Sequence, residues 1–180
     1  AKVIAACVTN NKPIKKLVGL LRVWRVPAPL FVLPTTAGTG SEVTVAAVVS
    51  DPETHQKTPL MDPKLVPIAA ALDPTLMLAL PAHITAQTGM DALTHAVEAY
   101  ISCNATIETD RYVLASVKLI HENLEKAVKF GQNATARQKM AMASYYGGLA
   151  FTKASLGYVH VIAHAVGAKY GIPHGLANSV

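Results

Sequence analysis

Gly89-Met-Asp-Ala-Leu-Thr-His95 sets an acid and a histidine four residues apart in a stretch with no other charge. The same spacing returns in His160-Val-Ile-Ala-His164, and a further histidine follows in Pro173-His174-Gly175. Residues i and i+4 share one face of an α-helix, about one turn apart. Two helices facing each other can therefore aim one carboxylate and two imidazoles at a common point. His174, just past the second helix, is a fourth candidate donor. A lone histidine on an apolar helix is more often a hydrogen-bonded core residue than a ligand. Here one acid and four histidines fall into three short segments, and burying that many titratable groups is costly without a shared partner. A divalent metal is the simplest such partner.

Carboxylate with imidazole is a borderline ligand set. It suits Fe(II), Zn(II), Mn(II) or Ni(II) and is too rich in nitrogen for Mg or Ca. With no thiolate in the set, it is not a structural zinc knuckle. If all four ligands come from protein, a substrate oxygen is a fifth. His55, His83 and His121 lack this context and read as loop, helix start and helix surface. Glu98, three residues after His95, reads either as an outer partner of the site or as an ordinary helix-surface or hydrogen-bonding residue.

The surrounding composition is rich in apolar residues for a soluble protein. Of 180 residues, 51% are hydrophobic and only 15% charged, against roughly 25% charged in an average globular domain. That balance fits the interior of a larger enzyme better than a complete small protein. No run of about 18 apolar residues escapes polar breaks, so no transmembrane helix is expected. Val3 to Val8 has one lysine before it and no small-residue cleavage site after it, and is not read as a signal peptide. Cys7 and Cys103 form no Cys-x-x-Cys pair, so no disulfide framework is expected and a reducing cytoplasm is the default. The net charge is +5, but the basic residues are dispersed and form no stripe interleaved with aromatics, which argues against a nucleic-acid partner.

Two regions of different character are expected. Residues 2–9 read as an apolar helix with no cap of its own, and 14–26 as irregular. Leu30 to Leu33, Val43 to Ser50 and Pro67 to Leu72 read as short strands. From Pro81 onward the only further proline is Pro173, and helices are expected at about 83–103, 107–129, 134–150, 153–169 and 174–180. Thr109-Asp110 is expected to cap the second of these, and Thr135 the third. Val113, Val117, Ile120, Leu124 and Val128 share one face of the second. The split predicts a mixed α/β part over residues 1–80 and a helical part over 81–180. Between strands, Thr35-Thr-Ala-Gly-Thr-Gly-Ser-Glu42 is rich in small and hydroxyl residues. Such a loop admits phosphate or ribose oxygens, although most loops of this composition are plain turns. It is neither a P-loop nor a Gly-x-Gly-x-x-Gly turn.

Taken together, five segments resemble the iron-dependent (group III) alcohol dehydrogenases. They are Pro34-Thr-Thr-Ala-Gly-Thr-Gly-Ser-Glu-Val-Thr44, Asp73-Pro74, Thr88-Gly-Met-Asp-Ala-Leu-Thr-His-Ala-Val-Glu-Ala-Tyr100, Gly157-Tyr-Val-His-Val-Ile-Ala-His164 and Tyr170-Gly-Ile-Pro-His-Gly-Leu-Ala-Asn178. The resemblance spans essentially the whole chain. It implies the dehydroquinate synthase-like fold of that family, an α/β dinucleotide-binding domain followed by an all-α domain, with the metal in the cleft between. Residues 1–80 would be the C-terminal part of the first domain and 81–180 the first part of the second, so the fold is incomplete here. It implies that Asp91, His95, His160 and His174 bind Fe(II), with Zn(II) as the alternative ion. It places His164 beside the metal, near substrate and nicotinamide; the i+4 relation to His160, which puts it on the metal-facing side, makes it a candidate proton relay, or else a group that orients a ligand or water.

The resemblance further implies that Thr35, Thr36, Gly38 and Thr39 line NAD or NADP, with Lys57 reaching it from the next β segment and Leu76 packing on it. It implies hydride transfer between a small alcohol or aldehyde and the nicotinamide, in a homo-oligomer of two or more subunits. The family's Gly-Gly-Gly-Ser loop falls before Ala1, as do the first strands, and several family helices fall after Val180. The chain is therefore expected to be an internal fragment of a protein about twice as long. Two other readings are a truncated, non-catalytic chain and a related reductase such as a maleylacetate reductase or a zinc glycerol dehydrogenase. The three-histidine-plus-Asp set and the Thr35–Thr44 loop favour the iron alcohol dehydrogenases.

Overall fold

The structure is a computed structural model that describes residues 1–50 and 57–180. His55 lies outside the described residues, and so does the side chain of Lys57.

Residues 1–80 hold helix α1 (Lys2–Asn10), a single turn α2 (Ile14–Leu17) and five short strands: β1 (Gly19–Leu20), β2 (Phe31–Val32), β3 (Ala46–Ser50), β4 (Lys57–Met61) and β5 (Ala69–Ala70). The described strands form two sheets. One has the order β1-β4-β3, with β1 parallel and β3 antiparallel to β4; the other pairs β2 with β5 in parallel. Ala6, Leu17, Val23, Leu60 and Leu65 form the core under the larger sheet. α1 has no side-chain cap, as expected.

Strand β4 carries no strand signal in the sequence, because Pro59 breaks the pattern of Lys57-Thr-Pro-Leu-Met61. The proline is tolerated because β1 pairs only with Leu60 and Met61, leaving that side of the strand open at Pro59. The segment read as irregular, 14–26, supplies α2 and β1.

Residues 81–180 are helical: α3 (Ala82–Ile101), α4 (Ile107–Lys129), α5 (Ala134–Ala154), α6 (Tyr158–Tyr170) and α7 (His174–Ala177). α3, α4 and α5 pack on one another. Their shared faces are mostly alanine (Ala92, Ala127, Ala136, Ala141 and Ala143 with Ile120 and Met140), so the helix axes approach closely. A second cluster joins Ala96, Ala99, Val113, Ala150 and Ala154. The expected α4 stripe holds: Val113 and Ile120 are buried, and Val117, Leu124 and Val128 are half-buried.

Three local expectations shift. The cap of α4 is Thr106, whose Oγ1 accepts from the Thr109 backbone while Thr109 Oγ1 accepts from the Thr106 backbone, a reciprocal box. Thr109 is thus inside the first turn. Likewise Asn133 Oδ1 accepts from the Ala136 backbone and caps α5, and Thr135 is already helical. Finally α5 runs to Ala154, and the break before α6 is Ser155-Leu-Gly157, where Ser155 has φ 74°. None of the helices among the described residues is long and apolar enough to cross a membrane.

Candidate metal centre

Helix α3 carries two adjacent stripes. Ala92, Ala96 and Ala99 face the helical core, while Asp91, His95 and Glu98, at i, i+4 and i+7, form the neighbouring buried stripe. α6 brings His160 to this stripe, and α7 brings His174. α7 sits tight against α3: a Cβ on Gly175 would lie 2.1 Å from the Gln87 carbonyl oxygen, so only glycine allows His174 to come so near.

The result is a convergence on one carboxylate oxygen. Asp91 Oδ1 lies 3.5 Å from His174 Nε2, 3.6 Å from His160 Nε2 and 3.8 Å from His95 Nε2. Single donor atoms of Asp91, His160 and His174 all fall within 4.8 Å of one another; His95 stands just outside that triad. The His164 ring centroid is 4.7 Å from that of His174 and 6.4 Å from that of His160.

The chemistry of the donors suits a cation. His95 Nδ1–H donates to the Gly38 carbonyl at 3.2 Å, which leaves the Nε2 lone pair facing Asp91. His160 Nδ1 meets Glu98 Oε2 at 2.5 Å, which likewise turns Nε2 inward. The convergence point already draws a donor. Asn178 Nδ2 lies 2.6 Å from Asp91 Oδ1, 3.2 Å from His160 Nε2 and 3.3 Å from His174 Nε2. This amide nitrogen, the positive end of a dipole, stands in for a cation among three acceptors.

The electrostatics follow from burial and charge together. Burial pushes the pKa of His95 down to about 4, against the pull of Asp91, so the ring is neutral near pH 7 and fit to ligate. Burial also pulls His160 down, but its contacts with Asp91 and Glu98 outweigh that and raise it. Burial pushes Asp91 up, and the contact with His160 together with the nearby rings of His95 and His174 outweighs it, holding the carboxyl below its usual range. In Glu98 the desolvation is outweighed by His160 and the Gly157 and Val159 backbone N–H groups.

Two clefts adjoin here, and one of them holds this centre. One, about 420 Å³, is lined by Asp91, His95, His160, His164 and His174 together with Phe151 and Leu156. The other, about 600 Å³, is lined by Lys2, Glu42 and the loop residues Thr35, Thr36 and Thr39. Thr39, Ser41, Ala47 and Val48 line both. The structure therefore brings Thr35, Thr36 and Thr39 to one cleft and the acid and histidines to the other. Gly38 lies off the cleft wall: a Cβ there would sit 2.8 Å from Thr88 Cβ, and its carbonyl points to His95. Leu76 is 44% exposed and lines neither cleft.

Two residues at the centre, Asn178 and Phe151, are not singled out by the sequence. Glu98, read there either as an outer partner or as an ordinary residue, is the outer partner, and its spacing from Asp91 and His95 is the signal for it. Asn178 stands four after His174 but is of a type that rarely signals a site. Phe151, stacked on the His95 ring at 4.4 Å, looks like any other core aromatic in the sequence.

Residues 1–74 match the profile of iron-containing alcohol dehydrogenases, and residues 85–180 match the C-terminal profile of the Fe-containing alcohol dehydrogenase family. The chain belongs to the iron-containing alcohol dehydrogenase family. Among its curated relatives, the NAD-dependent methanol dehydrogenase of Bacillus methanolicus is 44% identical over all 180 residues, which cover 47% of that protein. The 1,3-propanediol dehydrogenase of Klebsiella pneumoniae is 44% identical over 179 residues, covering 99% of this chain and 46% of the relative. The chain thus spans about half the length of the curated relatives it matches. Of solved structures, a 1,3-propanediol oxidoreductase superimposes with a TM-score of 0.94 at 44% identity, over 98% of this chain and 46% of that one. Sulfoacetaldehyde reductase from Bifidobacterium kashiwanohense, solved in complex with NAD+, gives 0.90 at 34% identity, over 98% and 47%.

Proposed function

We propose that this member of the iron-containing alcohol dehydrogenase family supplies the metal centre and one wall of the nucleotide cleft of an alcohol dehydrogenase or aldehyde reductase. It would pass hydride between a small alcohol and NAD or NADP. The observation that carries this reading is the convergence of three ring nitrogens on Asp91 Oδ1, at 3.5 to 3.8 Å, in a cleft continuous with that of Thr35, Thr36 and Thr39. NAD is supported by the relative solved with NAD+ and by the NAD-dependent methanol dehydrogenase.

Asp91, His95, His160 and His174 are the residues to hold Fe(II), and Zn(II) accepts the same donors. A divalent ion bound there supplies Lewis-acid polarisation of a substrate oxygen, and the nicotinamide supplies or accepts the hydride. The chain's own contribution is placement. The anchors of His95 and His160 hold the rings still, and Phe151 and Leu156 give the cleft an apolar wall that excludes water. The hydroxyls of Thr35, Thr36 and Thr39 offer donors to phosphate and ribose oxygens. Lys57, whose side chain lies outside the described residues, is proposed as a cation for the same ligand. Gly38 serves by letting the loop close on α3; Leu76, outside both clefts, is given no part in this reading. His164, on the cleft wall, passes a proton between the substrate oxygen and solvent.

Residues 1–80 and 81–180 are taken as parts of two domains, and the working protein as a cytoplasmic homo-oligomer, a dimer or higher. The test is metal content together with aldehyde-dependent oxidation of NADH and NADPH, in the full-length gene product and in its Asp91→Asn variant. The reading expects stoichiometric metal and turnover in the wild type, and loss of both in the variant. A filled metal site with no turnover on either cofactor defeats it.

A further inference from the structure

We propose that Glu98 is a positioning residue that selects which nitrogen of His160 faces the metal while anchoring the first turn of α6. This rests on the reading of Asp91, His95, His160 and His174 as metal ligands.

The geometry is a two-armed clamp. Glu98 is buried on α3, at 3% exposure. Its Oε1 accepts from the Val159 backbone N–H at 2.7 Å, and its Oε2 meets His160 Nδ1 at 2.5 Å. Gly157, at the N-cap position before α6, gives no side-chain cap, so a carboxylate from another helix accepts from the first-turn N–H of Val159 instead. Gly157 leaves room for it: a Cβ there would sit 2.9 Å from Glu98 Oε1.

A carboxylate accepts on both oxygens and donates on neither. Glu98 therefore accepts the Nδ1–H of His160 and leaves Nε2 as the lone-pair nitrogen, 3.6 Å from Asp91 Oδ1. Its charge also makes the ring a better donor to a cation. Because His164 lies one turn further along α6, the same clamp sets the position of both α6 histidines.

Glu98→Gln separates the two arms without changing shape. An amide accepts on one side only and donates on the other. The Val159 N–H has no alternative form, whereas an imidazole has a second tautomer. The amide oxygen therefore stays on Val159 and its NH2 faces His160 Nδ1. That moves the ring proton to Nε2, the nitrogen that faces Asp91.

The experiment titrates metal-free wild type, Glu98→Gln and Asp91→Asn with Zn(II) and Co(II), alongside thermal melts of the metal-free proteins. The expected result is about 10- to 100-fold weaker binding for Glu98→Gln, with a metal-free melting temperature near that of wild type. Binding as tight as wild type overturns the proposal. If wild type itself binds no stoichiometric ion, the metal reading falls and this inference with it; a wild type that binds beside an unaffected Glu98→Gln defeats Glu98 alone. Nitrogen-15 shifts of the His160 ring in metal-free wild type, in alkaline buffer, give an arm independent of how the variants fold. They are expected to report protonated Nδ1 and bare Nε2, and the opposite tautomer overturns the proposal.

Discussion

Gly38 and His95, distant in sequence, meet through one hydrogen bond: His95 Nδ1–H donates to the Gly38 carbonyl at 3.2 Å. Gly38 belongs to the Thr35–Glu42 loop that walls the larger cleft, and His95 to the helix that carries Asp91. A single peptide carbonyl thus ties the loop of the larger cleft to a candidate metal ligand, and it fixes the tautomer of that ligand.

Gly38→Ala should disturb both. The added Cβ would meet Thr88 Cβ and its carbonyl oxygen at 2.8 Å, so the loop has to lift from α3. Overpacking of this kind costs about 1–3 kcal/mol. A fall in thermal stability with a parallel fall in metal affinity is the expected result. Reduced stability with wild-type metal affinity would show that the carbonyl does not steady His95.

Much of this arrangement was legible in the sequence because helices write their faces in short-range spacing. Asp91 with His95 and His160 with His164 are local patterns, and the three-dimensional convergence follows once two helices face each other. What was not legible depends on contacts between distant segments. Glu98 became a clamp only because the break before α6 falls at Ser155-Leu-Gly157, which brings the Val159 N–H under its carboxylate. Strand β4 was hidden by Pro59, tolerated only because β1 stops short of it. The caps of α4 and α5 fall two to four residues before the ones the sequence suggests, since several hydroxyl and amide residues sit near each start and the chain direction chooses among them.

A second tie between loop and helices runs through Ser144. Its Oγ accepts from the Gly40 backbone N–H at 3.1 Å, and Ser144 is buried on α5. Ser144→Ala leaves that N–H without its acceptor, which costs about 1–3 kcal/mol. Denaturant unfolding should show a loss in that range. Because Thr39 stands next to Gly40, nucleotide KM should rise more than metal affinity falls; equal effects on the two would argue against a loop-specific role.

Lys2 gives a pH signature away from the metal centre. It is buried, and its Nζ donates to Thr44 Oγ1 at 2.9 Å and to the Ala46 carbonyl at 3.0 Å. Burial lowers its pKa to about 8 from 10.5, partly opposed by the charge of Glu42. The folded value lies below the unfolded one, so between them the unfolded chain holds the extra proton. The contribution of Lys2 is therefore fully present above the unfolded pKa and is lost as pH falls toward the folded value. The stability of wild type relative to Lys2→Met should rise by about 1.4 kcal/mol per pH unit across that window. A flat difference between the two proteins from pH 8 upward would show that Lys2 keeps an ordinary pKa.

On the proposed reading of the centre, Asn178 and a metal ion compete for one place. The amide nitrogen sits 2.6 Å from Asp91 Oδ1 and within 3.3 Å of two ring nitrogens, where a cation would lie, while its Oδ1 is buried with no hydrogen-bond partner among the described residues. In Asn178→Ala the metal-free protein loses the donor that satisfies Asp91, a loss of about 1–3 kcal/mol, offset in part by release of the orphaned oxygen. The metal-bound protein has no need of that donor. Removing the amide should therefore lower the metal-free melting temperature, leave the metal-bound one nearly unchanged, and widen the gap between them, since binding stabilises by RT ln(1 + [L]/Kd). Metal titration should show tighter binding. Equal drops in both melting temperatures would mean that Asn178 keeps its place beside the ion.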